Sequence, residues 1–388
     1  MENIVNRRIQ AVDALRGLVM IVMALDHVRD FVHNDVKLFR PDDLARASTA
    51  LFFTRWVTHF CAPVFFFTAG VGAWFYLRNG RTPGELSRFL WTRGAWLILL
   101  EVTVLRFGYG FSMTEGVLLL TVLWGLGWSM IALGFLSRMP VRALAILSLA
   151  AIALHNLADP ITARSLGPAA WLWTILHQPG AIVLGPVVAA VGYSFVPWMF
   201  VMSAGFCFGS ILEREPAVRQ RWMLWIGSSL TAAFVVIRAL NIYGDPSPWT
   251  GGLLSFLRCT KYPPSLDFLL MTLGPALLFL TWLDQIKIAK TNPAIVFGRT
   301  PLFYFIGHFY VAHLVAVALA ASRYSDIGFM FHPLPWIGGV NATVPADYGY
   351  PLPIVYVCWI AVVALMYPAC LWFARVKERN RSWWLSYL

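Results

Sequence analysis

What this sequence lacks narrows it first. Asp, Glu, Lys and Arg make up only 13% of its 388 residues, against roughly 25% in an average soluble domain. Acid is the scarcer sign, with 19 Asp and Glu against 30 Lys and Arg. The five cysteines, Cys61, Cys207, Cys259, Cys358 and Cys370, form no CxxC pair, and most sit in apolar runs. They read as small buried hydrophobes, not as a disulfide framework or a metal site. No GxGxxG, P-loop or GxSxG nucleophile elbow occurs, which leaves dinucleotide enzymes, P-loop NTPases and α/β-hydrolases without their signatures. No soluble linker, low-complexity tract or internal repeat interrupts the chain.

What remains is apolar. Hydrophobic residues reach 59%, with 18 Trp and 28 Phe, the aromatic excess found at membrane interfaces. Runs long enough to cross a bilayer fall at 11–33, 56–77, 89–109, 117–136, 143–158, 188–212, 222–242, 264–284, 296–321 and 352–374. The expected fold is therefore an all-α polytopic membrane protein of about ten transmembrane helices, one domain over residues 1–388. The fifth run is the shortest. The stretch after it, with Trp171, Trp173, His177 and several prolines, suits an interfacial or re-entrant piece. Arg7 and Arg8 precede the first run as in a signal peptide, but its polar face and missing small-residue cleavage site predict a retained helix.

The net charge of +11 has a topological reading. With the N-terminus in the cytoplasm, that side carries Arg7, Arg8, Arg78, Arg81, Arg88, Arg93, Arg138, Arg142, Arg214, Arg219, Arg221, Lys287, Lys290, Arg375, Lys377, Arg379 and Arg381. The opposite loops hold Lys37, Arg40, Arg46, Arg106, Arg164, Arg258, Lys261 and Arg323. Seventeen against eight predicts both termini in the cytoplasm by the positive-inside rule. No basic stripe with interleaved aromatics is present, so nucleic acid is excluded as a partner.

The first run, AVDALRGLVMIVMALDHVRDFV, contains Asp13, Arg16, Asp26, His27, Arg29 and Asp30. Ionisable groups inside a span are costly and mark a functional face by default. At about 100° per residue Arg16 and His27 lie within about 20° of each other, roughly 16 Å apart along the axis. Asp13 and Asp30 flank them on the same face, and Arg29 points away. Asp30, a turn beyond His27, is placed to hold one imidazole nitrogen and leave the other as a base; Asp26 is less well aligned. The alternative is a structural polar pair between helices.

Later runs add candidates. In TRWVTHFCAPVFFFTAG, His59 is a second site residue or a structural donor, and Arg55 and Trp56 read as interfacial anchors. The small residues Ala69, Gly70, Gly72 and Ala73 favour close packing, and Gly205 to Gly209 form a GxxxG. Glu101 lies mid-membrane and needs a partner. Arg93, with Arg16, Asp13 and Arg88, would make a cytoplasm-facing anion site suited to phosphate; snorkelling to lipid headgroups is the alternative for Arg88. In GRTPLFYFIGHFYVAHL, His308 and His313 project about 140° apart, so they cannot share one metal in the HExxH manner, and no metal is expected. Asn341-Ala342-Thr343 is a glycosylation sequon by pattern.

These segments carry a family resemblance. DALRGLVMIVMALDHVRDF, RWVTHFCAPVFFFTAG and FLWTRGAWLILLE, and more loosely YPPSL and GRTPLFYFIGH, resemble the bacterial relatives of the lysosomal heparan-alpha-glucosaminide N-acetyltransferase. The LRG-to-His spacing also resembles the wider transmembrane acyltransferases of surface glycans. The resemblance implies acetyl transfer from cytoplasmic acetyl-CoA to a sugar hydroxyl or amine across the membrane. It places Arg16 at the motif's arginine and implies a catalytic histidine at His27 or in the following loop at His33; the residues themselves add Arg93 and Asp13 for the donor and Asp30 and His59 near the histidine. Implied partners are a glycan or other small-molecule acceptor and membrane lipid, with a second copy of the chain left open. The implied location is the bacterial inner membrane. A proton-coupled transporter using the same Asp/His/Arg face is the competing reading, although no inverted repeat supports it.

Overall fold

In a computed structural model of the protein, the described residues are 2–113, 117–339, 343–380, 382, 385 and 387, with side chains described from residue 10 onward. The side chains of Arg7 and Arg8, Arg381, and Asn341 and Ala342 of the sequon lie outside the described residues. The longer elements run, in order, α1 (Glu2–Val32), α2 (Thr49–Val57), α3 (Cys61–Arg78), α4 (Pro83–Leu100), β1 (Val117–Leu120), α5 (Val122–Leu136) and α6 (Val141–Leu154). They continue with β2 (Gly180–Leu184), β3 (Val187–Val191), α7 (Phe195–Leu212), α8 (Pro216–Leu240), α9 (Leu266–Leu283), α10 (Pro293–Arg299), α11 (Pro301–Ala321) and α12 (Leu352–Arg379).

Every predicted apolar run contains a helix, yet the runs are not equivalent. Among the described residues, seven helices are long and apolar enough to cross a membrane: Thr49–Arg78, Val141–Ala158, Phe195–Leu212, Pro216–Leu240, Leu266–Leu283, Pro301–Ala321 and Leu352–Arg379. Ionisable side chains stud α1 and α4, and α5 has only 15 residues. The expectation of an all-α protein needs correction. A three-stranded sheet of order β1–β3–β2 is present, and its β2–β3 hairpin pairs Leu184 with Val187 across Gly185-Pro186. Gly185 at φ +62° followed by proline is the chemistry of a type II′ turn, which matches the twist of paired strands. The 188–212 run is accordingly part strand, with helix only from Phe195.

The chain divides into two compact units, each assembled from separated stretches. The first is Met1–Val12, Ala62–Glu101 and Leu119–Lys287; the second is Asp13–Cys61, Val102–Leu118 and Ile288–Leu388. In the first, helices meet backbone to backbone. A Cβ on Gly70 would lie 1.9 Å from the Met202 carbonyl, and one on Gly205 would lie 2.0 Å from that of Phe67, so the small residues of α3 and the GxxxG of α7 form one tight seam. Gly94 and Gly127 make a second seam between α4 and α5.

Three ionisable groups buried in this unit, Glu101, Arg219 and Arg238, have closely matched partners. Glu101, whose partner the sequence did not reveal, crowns the start of α5. It accepts from Thr121 N (3.0 Å), Thr121 Oγ1 (2.6 Å), Leu123 N (2.9 Å) and Trp124 N (3.2 Å). Those are the donors that a helix N-terminus leaves over, at the end where a carboxylate is favoured. Arg219, counted above among loop cations, is instead buried in α8 and bonds Asp284 through Nε (2.8 Å) and Nη2 (3.0 Å). Arg238 donates to the carbonyls of Ser247, Ser255, Phe256 and Arg258, which folds the 243–263 loop around one guanidinium. At the start of α4, Thr82 and Glu85 form a capping box ahead of Pro83. Bonds from the Thr82 backbone N–H and hydroxyl, aided by Arg81, hold the exposed Glu85 carboxyl below its ordinary value.

In the second unit α1 is the central post. Gly17 faces Ala294 and Gly298 faces Asp13 so closely that a Cβ would sit 1.7 Å and 1.9 Å from the opposing carbonyl oxygens. Its last turn is sealed by its own continuation and by three donors from residues 336–350. The carbonyls of Arg29, Asp30, Phe31 and Val32 accept from His33 N, Trp336 Nε1, Tyr348 Oη and Tyr350 N. These are the four orphan acceptors of a helix C-terminus, all satisfied without water.

Candidate functional site

The ionisable face of α1 resolves into three separate arrangements. In its N-terminal half Arg16 Nη1 donates to Asp13 Oδ1 (3.2 Å) and to the Gly298 carbonyl (3.0 Å). Both side chains are partly exposed, and the Gly17 and Gly298 contacts fix the backbone beneath them. Near its C-terminal end a network of charges links α1 to α2. Arg29 bonds Asp26 (2.8 Å) and Asp30 (2.6 Å), and Arg55 bonds the other oxygen of Asp26. Arg29 is thus buried between two carboxylates, and Arg55 is a helix-to-helix tie more than an interfacial anchor. Asp30 serves Arg29.

Between these lies His27, and its neighbour is one the sequence alone did not reveal. His27 Nδ1 is 2.9 Å from Nε2 of His308 on α11, with the rings stacked at 5.0 Å and 14°. His308 is fully buried, and its Nδ1 lies 2.8 Å from the Tyr304 carbonyl one turn back. The tautomers follow from the acceptors. A carbonyl only accepts, so His308 carries its proton on Nδ1 and presents a bare Nε2. His27 must then donate from Nδ1, which puts the lone pair of neutral His27 on Nε2. Phe305 and Phe309 meet the His27 ring edge-on at 6.2 Å and 5.1 Å, and Tyr304 stacks on His308 at 5.0 Å. The aromatic walls leave each imidazole little room to rotate.

The other histidines differ. His33 is buried just past α1 and caps a short 3₁₀ turn: its Nδ1 accepts from Asp35 N at 3.2 Å. While that bond holds, neutral His33 carries its proton on Nε2, so it acts as a donor there. It also lines an open groove of about 470 Å³ with Asp35, Ser48, Pro351 and Tyr356. His59 is buried in the 3₁₀ turn joining α2 and α3. His313, five residues beyond His308, lies between Phe31 (4.6 Å) and Phe111 (4.2 Å), with its nitrogens 2.9 Å from the carbonyls of Gly108 and Met330. It ties two loops to α11.

Of the residues expected at the site, Asp13 and Arg16 are together, Asp30 is joined to Arg29, and His27 has gained His308. Arg93 belongs to the first unit, where its guanidinium lies 5.7 Å over the Phe89 ring. The sequence signal for His308 was a histidine within an otherwise apolar helix. Its pairing across 281 residues has no trace in local spacing.

Comparison with known proteins gives a family. The family described as heparan-alpha-glucosaminide N-acetyltransferase, catalytic, matches residues 8–245. That stretch includes Asp13, Arg16, His27, Asp30, His33, His59 and Arg93, and stops short of His308. No curated protein matches the chain.

Proposed function

The chain belongs to the heparan-alpha-glucosaminide N-acetyltransferase catalytic family, a family of acetyltransferases, and from that premise we propose how it works. It would be a single membrane-embedded domain of about ten spans, with both termini cytoplasmic. It would move an acetyl group from cytoplasmic acetyl-CoA to a sugar hydroxyl or amine on the opposite side, in a bacterial inner membrane. The observation that carries the reading is the His27–His308 bond, which supports His27 as the reactive base.

Acetyl-CoA, when bound, supplies an activated thioester carbonyl and an anionic nucleotide. Arg16, oriented by Asp13 and the Gly298 carbonyl, is the residue we assign to the anion; a planar guanidinium suits bidentate contact with phosphate. His27 Nε2 takes the proton from the acceptor hydroxyl or amine, or carries the acetyl group transiently. As the ring gains positive charge, its Nδ1–H stays donated to His308 Nε2, so no proton need leave the pair. Asp30 acts at one remove by holding Arg29 at the outer end of α1. His33 and His59 are assigned to the acceptor side, His33 as a donor from the groove.

His27→Ala is expected to abolish transfer of radiolabelled acetyl from acetyl-CoA to glucosamine, used as a probe acceptor, while the purified protein stays monodisperse in detergent. Wild-type transfer by that variant overturns the assignment. CoA is expected to raise the thermal stability of the wild type. No shift with CoA, combined with solute counterflow in liposomes, would favour a carrier instead.

A further inference from the structure

A second cluster lies within the first unit. His155 follows α6 in a 3₁₀ turn, Asp159 ends that turn, and His177 stands after the short helix Ala170–Leu176. One ligand atom from each lies within 4.8 Å of the others. His177 Nε2 is 2.8 Å from Asp159 Oδ1, and the two imidazoles meet edge-to-face at 5.7 Å.

The unusual member is His155. It is 7% exposed, and neither ring nitrogen has a hydrogen-bond partner. An orphaned buried polar group is destabilising and calls for a cause. Its neighbours, by contrast, are held in place. Asn156 Nδ2 donates to Asp159 Oδ2 (2.7 Å), and Asn156 Oδ1 accepts from Leu266 N (2.8 Å). Ser194 Oγ donates to the His177 carbonyl (2.9 Å). The carboxylate and one imidazole are thus braced from behind, as outer-shell bonds brace metal ligands, and the unpartnered imidazole faces them.

We propose that His155, Asp159 and His177 form a binding site for a divalent transition-metal ion of the zinc class. Two imidazoles and one carboxylate suit Zn²⁺, whose ligand bonds are about 2.0–2.2 Å; an all-oxygen ion such as Mg²⁺ or Ca²⁺ is poorly served by them. Binding exchanges the His177–Asp159 contact for two metal bonds and gives His155 its missing partner. Asn156 keeps the second carboxylate oxygen, and the fourth position is left to water or an outside ligand. The ion would staple residues 155–177 to the end of α6, and the site is independent of the acetyl-transfer reading.

The test uses the full chain in detergent without a histidine tag, stripped with EDTA and titrated with Zn²⁺ by calorimetry and with Co²⁺ by visible absorption. The expected result is one equivalent bound, a d–d band for cobalt and a rise in melting temperature with Zn²⁺. His155→Ala and His177→Gln should lose the band, and Asn156→Ala should weaken binding about 10- to 100-fold as an outer-shell residue. Asp159→Asn preserves shape and guards against misfolding of the histidine variants; it too should lose the band. No stoichiometric binding by the stripped wild type, or binding unchanged in all three ligand variants, overturns the proposal.

Discussion

The two units bury their ionisable side chains to different ends. In the first, three groups meet matched partners: Glu101 has four donors, Arg219 and Asp284 bond twice, and Arg238 fills four carbonyls. Such groups organise loops and helix ends. In the second, His27 and His308 bond each other, and His308 is held in turn by the Tyr304 carbonyl. A charged residue within a span is therefore not a functional residue by virtue of its charge. What distinguishes His27 is that its partner is a second titratable ring, not a fixed opposite charge.

Substitutions can break that contrast. The largest effect is expected at His27: replacing it by Gln should lower kcat by about 10²–10⁴-fold, the range of general-base catalysis, with the melting temperature little changed. Next comes Arg219→Ala, which strands a buried carboxylate and should destabilise by about 3–5 kcal/mol in detergent unfolding, while activity per folded molecule persists. If Arg219→Ala were inactive yet stable, the division between the units would fail. His308→Phe should lower kcat by about 10²-fold, the lower end of the same catalytic range, with KM unchanged, because it frees the tautomer of His27 without touching the acceptor. An equal loss on His313→Phe, corrected for folding, would erase the distinction between the two histidines of α11. Thr82→Ala should cost about 1 kcal/mol, as N-cap losses do. The smallest effect is a pH effect. Glu85 is held below its ordinary pKa of 4.5, so its capping contribution is present at neutral pH and fades as pH falls through the lowered value. Amide exchange in the first turn of α4 should accelerate on that acidification in the wild type and much less in Thr82→Ala.

Much of this was legible in the sequence. Hydropathy located a helix in every apolar run, and the polar face of α1 pointed to Asp13, Arg16 and His27. The hairpin was missed because Gly180–Val191 is as apolar as the spans around it, and only Gly185-Pro186 marks the turn. Helix geometry put Asp30 on the face of His27, but Arg29 claims its carboxylate from the next position, a competition that angular arithmetic does not weigh. Arg219 read as a loop cation since its partner lies 65 residues on. His308 and the His155–Asp159–His177 cluster depend on contacts between distant stretches, and spacing within one stretch cannot encode them.

The sealed end of α1 carries a mechanical consequence. A helix whose last three carbonyls are held by Trp336, Tyr348 and Tyr350 cannot turn by one residue, about 100°, without breaking all three bonds together. His27 lies less than two turns from that anchored end, so it behaves as a fixed tool on a bench. Any partner of the imidazole has to come to it, and whatever motion the protein makes must be made by other parts of it.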